Sequence, residues 1–190
     1  MMTKIKNYII VTKGKTSNKE FLNEFAQSLF VKFTIEDLET AFVIQYSDDV
    51  EESIINEAFT SYLFDACDNV IVYIGRSFVN DADSDIKTIL RLLSYSLTKP
   101  LYDKKSLVEE VIDNKDEDVK KLVLNKYYLD YSMQDLLKTF FINNMNTLKS
   151  SKVLYIHRNT LINKIQRFKE DTGFDPKEFR DAYLIYSLIK

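Results

Sequence analysis

Between His157 and Arg167 the chain sets His157, Arg158, Asn159, Thr160, Asn163, Lys164 and Arg167 along what reads as one helix, with no acidic residue among them. At about 100° per residue, Leu161, Ile165 and Phe168 share one narrow apolar stripe, while Asn159, Asn163, Arg167 and Thr160 lie opposite. These are residue types that recognise nucleic acid. A carboxamide can bond an adenine edge twice, a guanidinium can bond a guanine edge, and hydroxyl and ammonium groups can meet phosphate. A helix from about His157 to Lys169 spans roughly 20 Å at ~1.5 Å per residue. Only its first two turns are then expected at base edges, which favours His157, Arg158, Asn159, Thr160 and Asn163, with Arg167 and Lys164 at backbone phosphate. His157 has two readings: a base or phosphate contact at the helix start, or a helix-starting residue bonded to nearby backbone. The polar face taken alone would also suit a solvated helix of an ordinary bundle.

Other chemistries lack their residues. The chain of 190 residues holds one histidine, one cysteine (Cys67), two prolines (Pro100, Pro176) and three glycines (Gly14, Gly75, Gly173). A zinc site needs about four Cys or His ligands. A phosphate-cradling loop needs several glycines close together, and these three lie far apart. The close carboxylates Asp48, Asp49, Glu51 and Glu52 could hold a cation or form an acidic helix start, and the helix dipole favours the second. No nucleophile and base stand at a telling spacing. The expectation is a protein that is not an enzyme and has no cofactor and no metal site.

Net charge is −3, unevenly spread. Residues 1–130 carry 16 Lys and Arg against 23 Asp and Glu, a balance of −7, and residues 131–190 carry 10 against 6, a balance of +4. Basic character is confined to the last third. A lone Cys67 beside Ala66 suits a small core residue in a reducing compartment. Apolar runs such as Tyr8 to Val11 and Val70 to Ile74 fall far short of the ~20 residues of a membrane span, and Met1 to Thr12 lacks the pattern of a signal peptide. A cytoplasmic protein with no membrane partner is expected.

The elements that would carry the polar face follow from periodicity. Tyr8–Val11, Ala41–Ile44 and Val70–Ile74 read as strands. Helices are expected after a Ser17–Glu20 capping box, with Phe21, Phe25 and Leu29 on one face, over Val50–Ala66, and over Asp83–Leu97. From Ser106 onward only helical patterns remain, broken by the charged run Asn114–Asp118. Leu136, Leu137, Phe140 and Phe141 mark one helix, Asn143–Asn146 a break, and Leu148–Leu154 a short helix capped by Asn146 or Thr147. After a tight connection at Tyr155–Ile156, the polar-faced helix runs from about His157 to Lys169, closed near Gly173. Two short helices joined this way make a helix-turn-helix, whose second member enters the DNA major groove.

Ile156-His157-Arg158-Asn159-Thr160-Leu161 resembles the signature of the C-terminal helix-turn-helix of the PucR/CdaR family of bacterial transcription regulators. Asp135-Leu136-Leu137-Lys138-Thr139 is similar to the helix before it, Leu154 to its leucine before the turn, Gly173-Phe174-Asp175 to its turn, and Tyr183–Ile189 to its closing helix. Two positions depart from the pattern. Ser151 stands where alanine is common, and Lys164 where arginine is usual, which loses bidentate geometry. In this family the preceding domain is often a degenerate relative of the diguanylate cyclase (GGDEF) fold. The βαβαβα pattern of residues 8–97, with Ile74-Gly75-Arg76 after the third strand, loosely resembles it, without the Gly-Gly-Asp/Glu-Glu-Phe motif. The larger N-terminal sensory region usual in the family is expected to be absent, so that any signal would enter through the α/β domain, an oligomer or a partner.

The expected fold class is therefore α+β: a degenerate GGDEF-like α/β domain over 1–100, a helical connector over 101–130 and a helix-turn-helix domain over 131–190. The expected function is sequence-specific transcription regulation on double-stranded DNA as a homodimer or higher oligomer, with an effector, small molecule or protein, left open. The alternative is an interaction or ligand-binding protein in which the helix-turn-helix is a relic. A continuous positive surface over Arg158, Lys164 and Arg167 would favour the first, and interruption by Asp171 or Glu178 the second.

Overall fold

The computed structural model describes residues 5–14, 19–66, 70–78, 82–114 and 116–190. The Cys67 environment and the Ser17 cap fall outside these residues. The chain divides into two compact units that meet in sequence between Leu107 and Val108.

The first unit is a five-stranded mixed sheet with helices. Its elements run β1 (Ile5–Thr12), α1 (Lys19–Leu29), β2 (Phe33–Asp37), β3 (Ala41–Tyr46), α2 (Glu52–Ala66), β4 (Val72–Phe78), α3 (Ala82–Leu92) and β5 (Leu101–Tyr102). Strand order is β2-β3-β1-β4-β5, antiparallel except for the β4–β5 pair. Up to β4 this is the split βαβ arrangement, in which each helix returns the chain past a neighbouring strand position. Tyr8, Ile9, Ile10 and Val11 are all buried because β1 is central and covered on both faces. Ile9 and Val11 join Ile44, Phe42, Val72 and Ile74 against Leu22 and Ala26 of α1 and Ile55 and Phe59 of α2. Alternation turns Tyr8 and Ile10 to the opposite face, where α3 packs on β1 and β4.

The three strands read from periodicity are present, and two more complete the sheet. Phe33-Thr34-Ile35-Glu36-Asp37 forms β2, an edge strand with only two apolar residues and two acids, the composition that keeps an edge soluble and hides its pattern. The second addition, β5, is two residues long and follows Pro100, whose carbonyl accepts the Val72 N–H at 2.8 Å. Two boundaries also move. The helix expected over Asp83–Leu97 ends at Leu92, where Ser94 and Tyr95 N–H groups turn to Arg91 and Leu92 carbonyls, and Ser94 Oγ donates to Arg91 O at 2.7 Å. The strand expected over Val70–Ile74 begins at Val72 and continues to Phe78, held by β1 through the Gly75 and Ser77 positions.

The second unit is all-helical. It opens in α4 (Lys104–Val111), which begins in the first unit, and continues through α5 (Glu117–Leu124), a 3₁₀ turn (Asn125–Tyr127), α6 (Tyr131–Ile142), α7 (Thr147–Val153), α8 (Arg158–Thr172) and α9 (Phe179–Ile189). Within the charged run Asp116 caps α5, accepting the Asp118 N–H at 2.8 Å, and Glu117 and Asp118 form its first turn. Asp130 caps α6 by accepting the Met133 N–H at 2.9 Å. Leu136, Leu137 and Phe140 are buried, and Phe141 meets Tyr186 of α9 edge-on at 6.0 Å between ring centres. Arg180 of α9 pairs with Glu109 of α4 through Nε and Nη2, one edge of the guanidinium. None of the described helices is long and apolar enough to cross a membrane.

Candidate nucleic-acid interface

The polar face is carried on α8, and three successive chain reversals place it. α6 ends with Asn144 in the left-handed region (φ 54°), its N–H bonded to Phe141 O, while Met145 N–H returns to Phe140 O at 2.9 Å. α7 ends the same way on Tyr155 (φ 52°), with Tyr155 N–H to Lys152 O and Ile156 N–H to Ser151 O at 3.0 Å. Both are Schellman closures, and at Asn144 the residue type suits the backbone. At Tyr155 it does not, because a Cβ in this region crowds the following carbonyl. α8 closes on Gly173 at φ 82°, the glycine cap expected from sequence, and its last residue, Thr172, lies three beyond the expected Lys169.

Each start is capped by a side chain. Asn146 Oδ1 accepts the N–H groups of Leu148 and Lys149, both at 3.0 Å, so Asn146 and not Thr147 is the cap of α7. His157 stands in extended backbone before α8, and its Nδ1 accepts the Asn159 N–H at 3.2 Å. Of its two sequence readings, the backbone-bonded helix start is therefore the one with a partner in the protein. The rest of the ring stays exposed to solvent.

Leu161, Ile165, Phe168 and Thr172 are the buried side of α8, which extends the expected stripe by one turn. Ser150 and Ser151 of α7 are buried as well, and α7 packs against α8, so small hydroxyl side chains at these positions let the two helices approach. Arg158, Asn159, Thr160, Asn163, Lys164 and Arg167 are all exposed, with Asn159, Thr160, Asn163 and Arg167 opposite the buried stripe and Arg158 and Lys164 flanking it. Among the described residues, the side chains of Asn159, Thr160, Asn163 and Lys164 form no hydrogen bond or ion pair, and their donors and acceptors face solvent. Arg158 is the exception, with Nε donating to Thr147 Oγ1 at 3.2 Å.

The acidic neighbours are mostly engaged elsewhere. Asp171 takes the Lys126 ammonium at 2.7 Å and the Tyr127 hydroxyl at 2.5 Å on one oxygen. Burial pushes its carboxyl up, but those two hydrogen bonds, with Lys126 and Arg167 charge, hold it below the ordinary value of 3.8. Glu170 accepts from Gln166 at 3.0 Å, and Asp175 pairs with Lys169 at 2.8 Å. Positive charge over Arg158 and Lys164 is uninterrupted by acids along the first two turns of α8, and the acids cluster at its C-terminal end.

Residues 133–190 match the family model of the PucR C-terminal helix-turn-helix domain. This segment is a PucR-type helix-turn-helix domain. Over 54 residues the chain is 44% identical to the carbohydrate diacid regulator of Escherichia coli (strain K12), a stretch that covers 28% of this chain and 14% of that protein. Over 54 residues it is also 37% identical to the protein YxkF of Bacillus subtilis (strain 168), covering 28% of this chain and 18% of the relative. The chain therefore matches less than a fifth of the length of either curated relative, and the likeness to them is confined to a segment the size of the PucR-type domain. A crystal structure of a regulator of polyketide synthase expression from Bifidobacterium adolescentis aligns with 98% of this chain and 80% of its own at 17% identity and a TM-score of 0.46.

Among the described residues, no group of three or more His, Cys, Asp or Glu side chains is placed to hold a metal ion. Asp48, from the carboxylate cluster considered in the sequence, instead accepts the N–H groups of Val31 and Lys32 at 2.6 and 3.0 Å, and Glu52 opens α2. Thr147 is the one residue of the polar surface that sequence reasoning treated only as a cap. Its position as first residue of α7, matched to Arg158 as first residue of α8, was the available signal.

Proposed function

We propose that this chain is a sequence-specific transcription regulator that binds double-stranded DNA by docking the N-terminal half of α8 in the major groove. The observation that carries this reading is the exposed, acid-free surface of the PucR-type domain formed by His157, Arg158, Asn159, Thr160, Asn163, Lys164 and Arg167, around and opposite the buried stripe. Asn159 and Asn163 suit adenine edges, Arg158 a guanine edge, Thr160 a base edge beside them, and Lys164 and Arg167 the phosphates. His157, with Nδ1 held by the helix start, keeps Nε2 for a neighbouring phosphate or base.

One such motif supplies too few base contacts for tight specific binding, so the reading includes a homodimer on two half-sites. The connector expected over 101–130 is read as beginning after β5 (Leu101–Tyr102), which belongs to the sheet. The sheet unit is read as a degenerate GGDEF-like domain without catalysis. Its β1-α1-β2-β3-α2-β4 order supports that, as does the absence from the sequence of the carboxylate and glycine motif. The protein acts in the cytoplasm, with any effector entering through that unit or through a partner.

The test is duplex binding by the full chain over a salt series. A dimer making ~6–8 phosphate contacts gives a log–log slope of roughly −5 to −7. Arg158→Ala lowers affinity for a selected duplex by at least about tenfold without changing the unfolding midpoint. A slope near zero, with no sequence enriched from genomic fragments at low salt, replaces this reading with the relic one.

A further inference from the structure

The first residues of the two motif helices lie eleven positions apart and meet side chain to side chain, Arg158 Nε donating to Thr147 Oγ1 at 3.2 Å. We propose that Thr147 is a positioning residue that presents the Arg158 guanidinium to a guanine base edge, an inference that rests on the DNA-binding reading above.

A guanidinium carries five N–H donors in a rigid plane. Engaging Nε with Thr147 leaves the four on Nη1 and Nη2, the far end of that plane. This end-on fork matches a pair of neighbouring acceptors, and in the major groove guanine presents such a pair in N7 and O6, whereas adenine places a donor beside its acceptor. Among the described residues Arg158 has no other hydrogen bond and no ion pair, so the fork is oriented without being occupied or neutralised. Arg180 provides the contrast within the same unit, since the Glu109 carboxylate pairs with its Nε and an Nη and neutralises its charge.

Orientation matters for a base and little for a phosphate. A flexible arginine loses rotamer freedom when its plane must match one base edge, and a side chain already held at Nε loses less of it. A phosphate accepts a cation from many directions. The Thr147 hydroxyl is also not needed to start α7, because Asn146 supplies both capping bonds. Its bond to Arg158 is therefore separable from the stability of the helix.

The experiment compares the full-length protein with its Arg158→Ala, Thr147→Val and Thr147→Ser variants. Each is used to select from a randomised duplex library, followed by affinity measurements on the selected duplex and on single base-pair replacements, with unfolding midpoints recorded for all four proteins. The expected result is that Arg158→Ala erases the preference at one G·C pair per half-site. Thr147→Val loses about three- to tenfold of the discrimination at that same pair, with other positions and affinity for unrelated duplex unchanged. Thr147→Ser, which keeps the hydroxyl, restores it. If Thr147→Val discriminates at the Arg158-dependent pair as the parent does, or weakens all duplexes equally, the positioning role is overturned while DNA binding stands. If the parent protein enriches no sequence and binds duplex without salt dependence, both fall together.

Discussion

The Tyr127 hydroxyl donates to Asp171 Oδ2 at 2.5 Å, and the same oxygen takes the Lys126 ammonium at 2.7 Å, so the 3₁₀ turn before α6 is tied to the last turn of α8. Tyr127 also stacks at a tilt on Phe168, 5.1 Å between ring centres, which makes this tie part of the same contact that buries the apolar side of α8. The carboxyl of Asp171 is held below its ordinary 3.8, burial being outweighed by the Lys126 and Tyr127 hydrogen bonds. Its contribution to stability is therefore present above pH 3.8 and is lost as pH falls through the depressed folded value. Asp171→Asn should cost about 1–3 kcal/mol at neutral pH and flatten the acid limb. Urea unfolding of parent and variant at a series of pH values, followed by hydrogen exchange of α8 amides, checks this. An acid limb of equal steepness in both proteins would contradict it.

Tyr155 holds a backbone conformation that its side chain disfavours, and that side chain is 96% exposed, so it recovers little in packing. Tyr155→Gly should raise the stability of the helical unit by roughly 1 kcal/mol. Gly173→Ala should lower it by about the same amount, since a Cβ there meets nothing within 4 Å and only the φ of 82° opposes it. Thermal unfolding of the two variants in opposite directions is the expected readout.

Leu161 and Ser150 are both fully buried between the motif helices, with opposite energetic signs. Leu161→Ala empties a packed position and should cost ~2–5 kcal/mol. Ser150 Oγ is buried with no hydrogen-bond partner among the described residues, so Ser150→Ala removes an unsatisfied hydroxyl and should gain on the order of 1 kcal/mol. Denaturant titration with matched slopes separates the two outcomes, and a destabilised Ser150→Ala would point to a partner for that hydroxyl.

Gly75 of β4 lies under the ring of Tyr73, two residues earlier on the same face of the strand. A Cβ at this position would come within 2.5 Å of Tyr73 Cε1. Tyr73 is buried and cannot swing out to solvent. Gly75→Ala should therefore destabilise the sheet unit by about 1–3 kcal/mol and speed exchange of the β1 and β4 amides. Unchanged exchange in those strands would show that the ring repacks freely.

What could be read along the chain was what neighbours in sequence decide. The stripe Leu161–Ile165–Phe168, the Asn146 and His157 starts, the Gly173 close and the strands Tyr8–Val11 and Ala41–Ile44 follow from 3.6- and 2-residue periods and from caps acting within one turn. The α+β class and the basic balance of residues 131–190 were legible for the same reason. The tertiary structure decided what depends on residues far apart. Strand β2 exists because β3 supplies its hydrogen bonds, in spite of its weak pattern, and β5 exists because β4 lies beside it. Asp171 is drawn onto Lys126 and Tyr127 only because the chain returns there, and Thr147 meets Arg158 only because a left-handed Tyr155 folds α7 back along α8. Local periodicity sets which side of a helix is polar. The partner each polar group finds is set by the packing of separate elements, and that choice leaves Asn159, Asn163 and the far end of Arg158 facing outward.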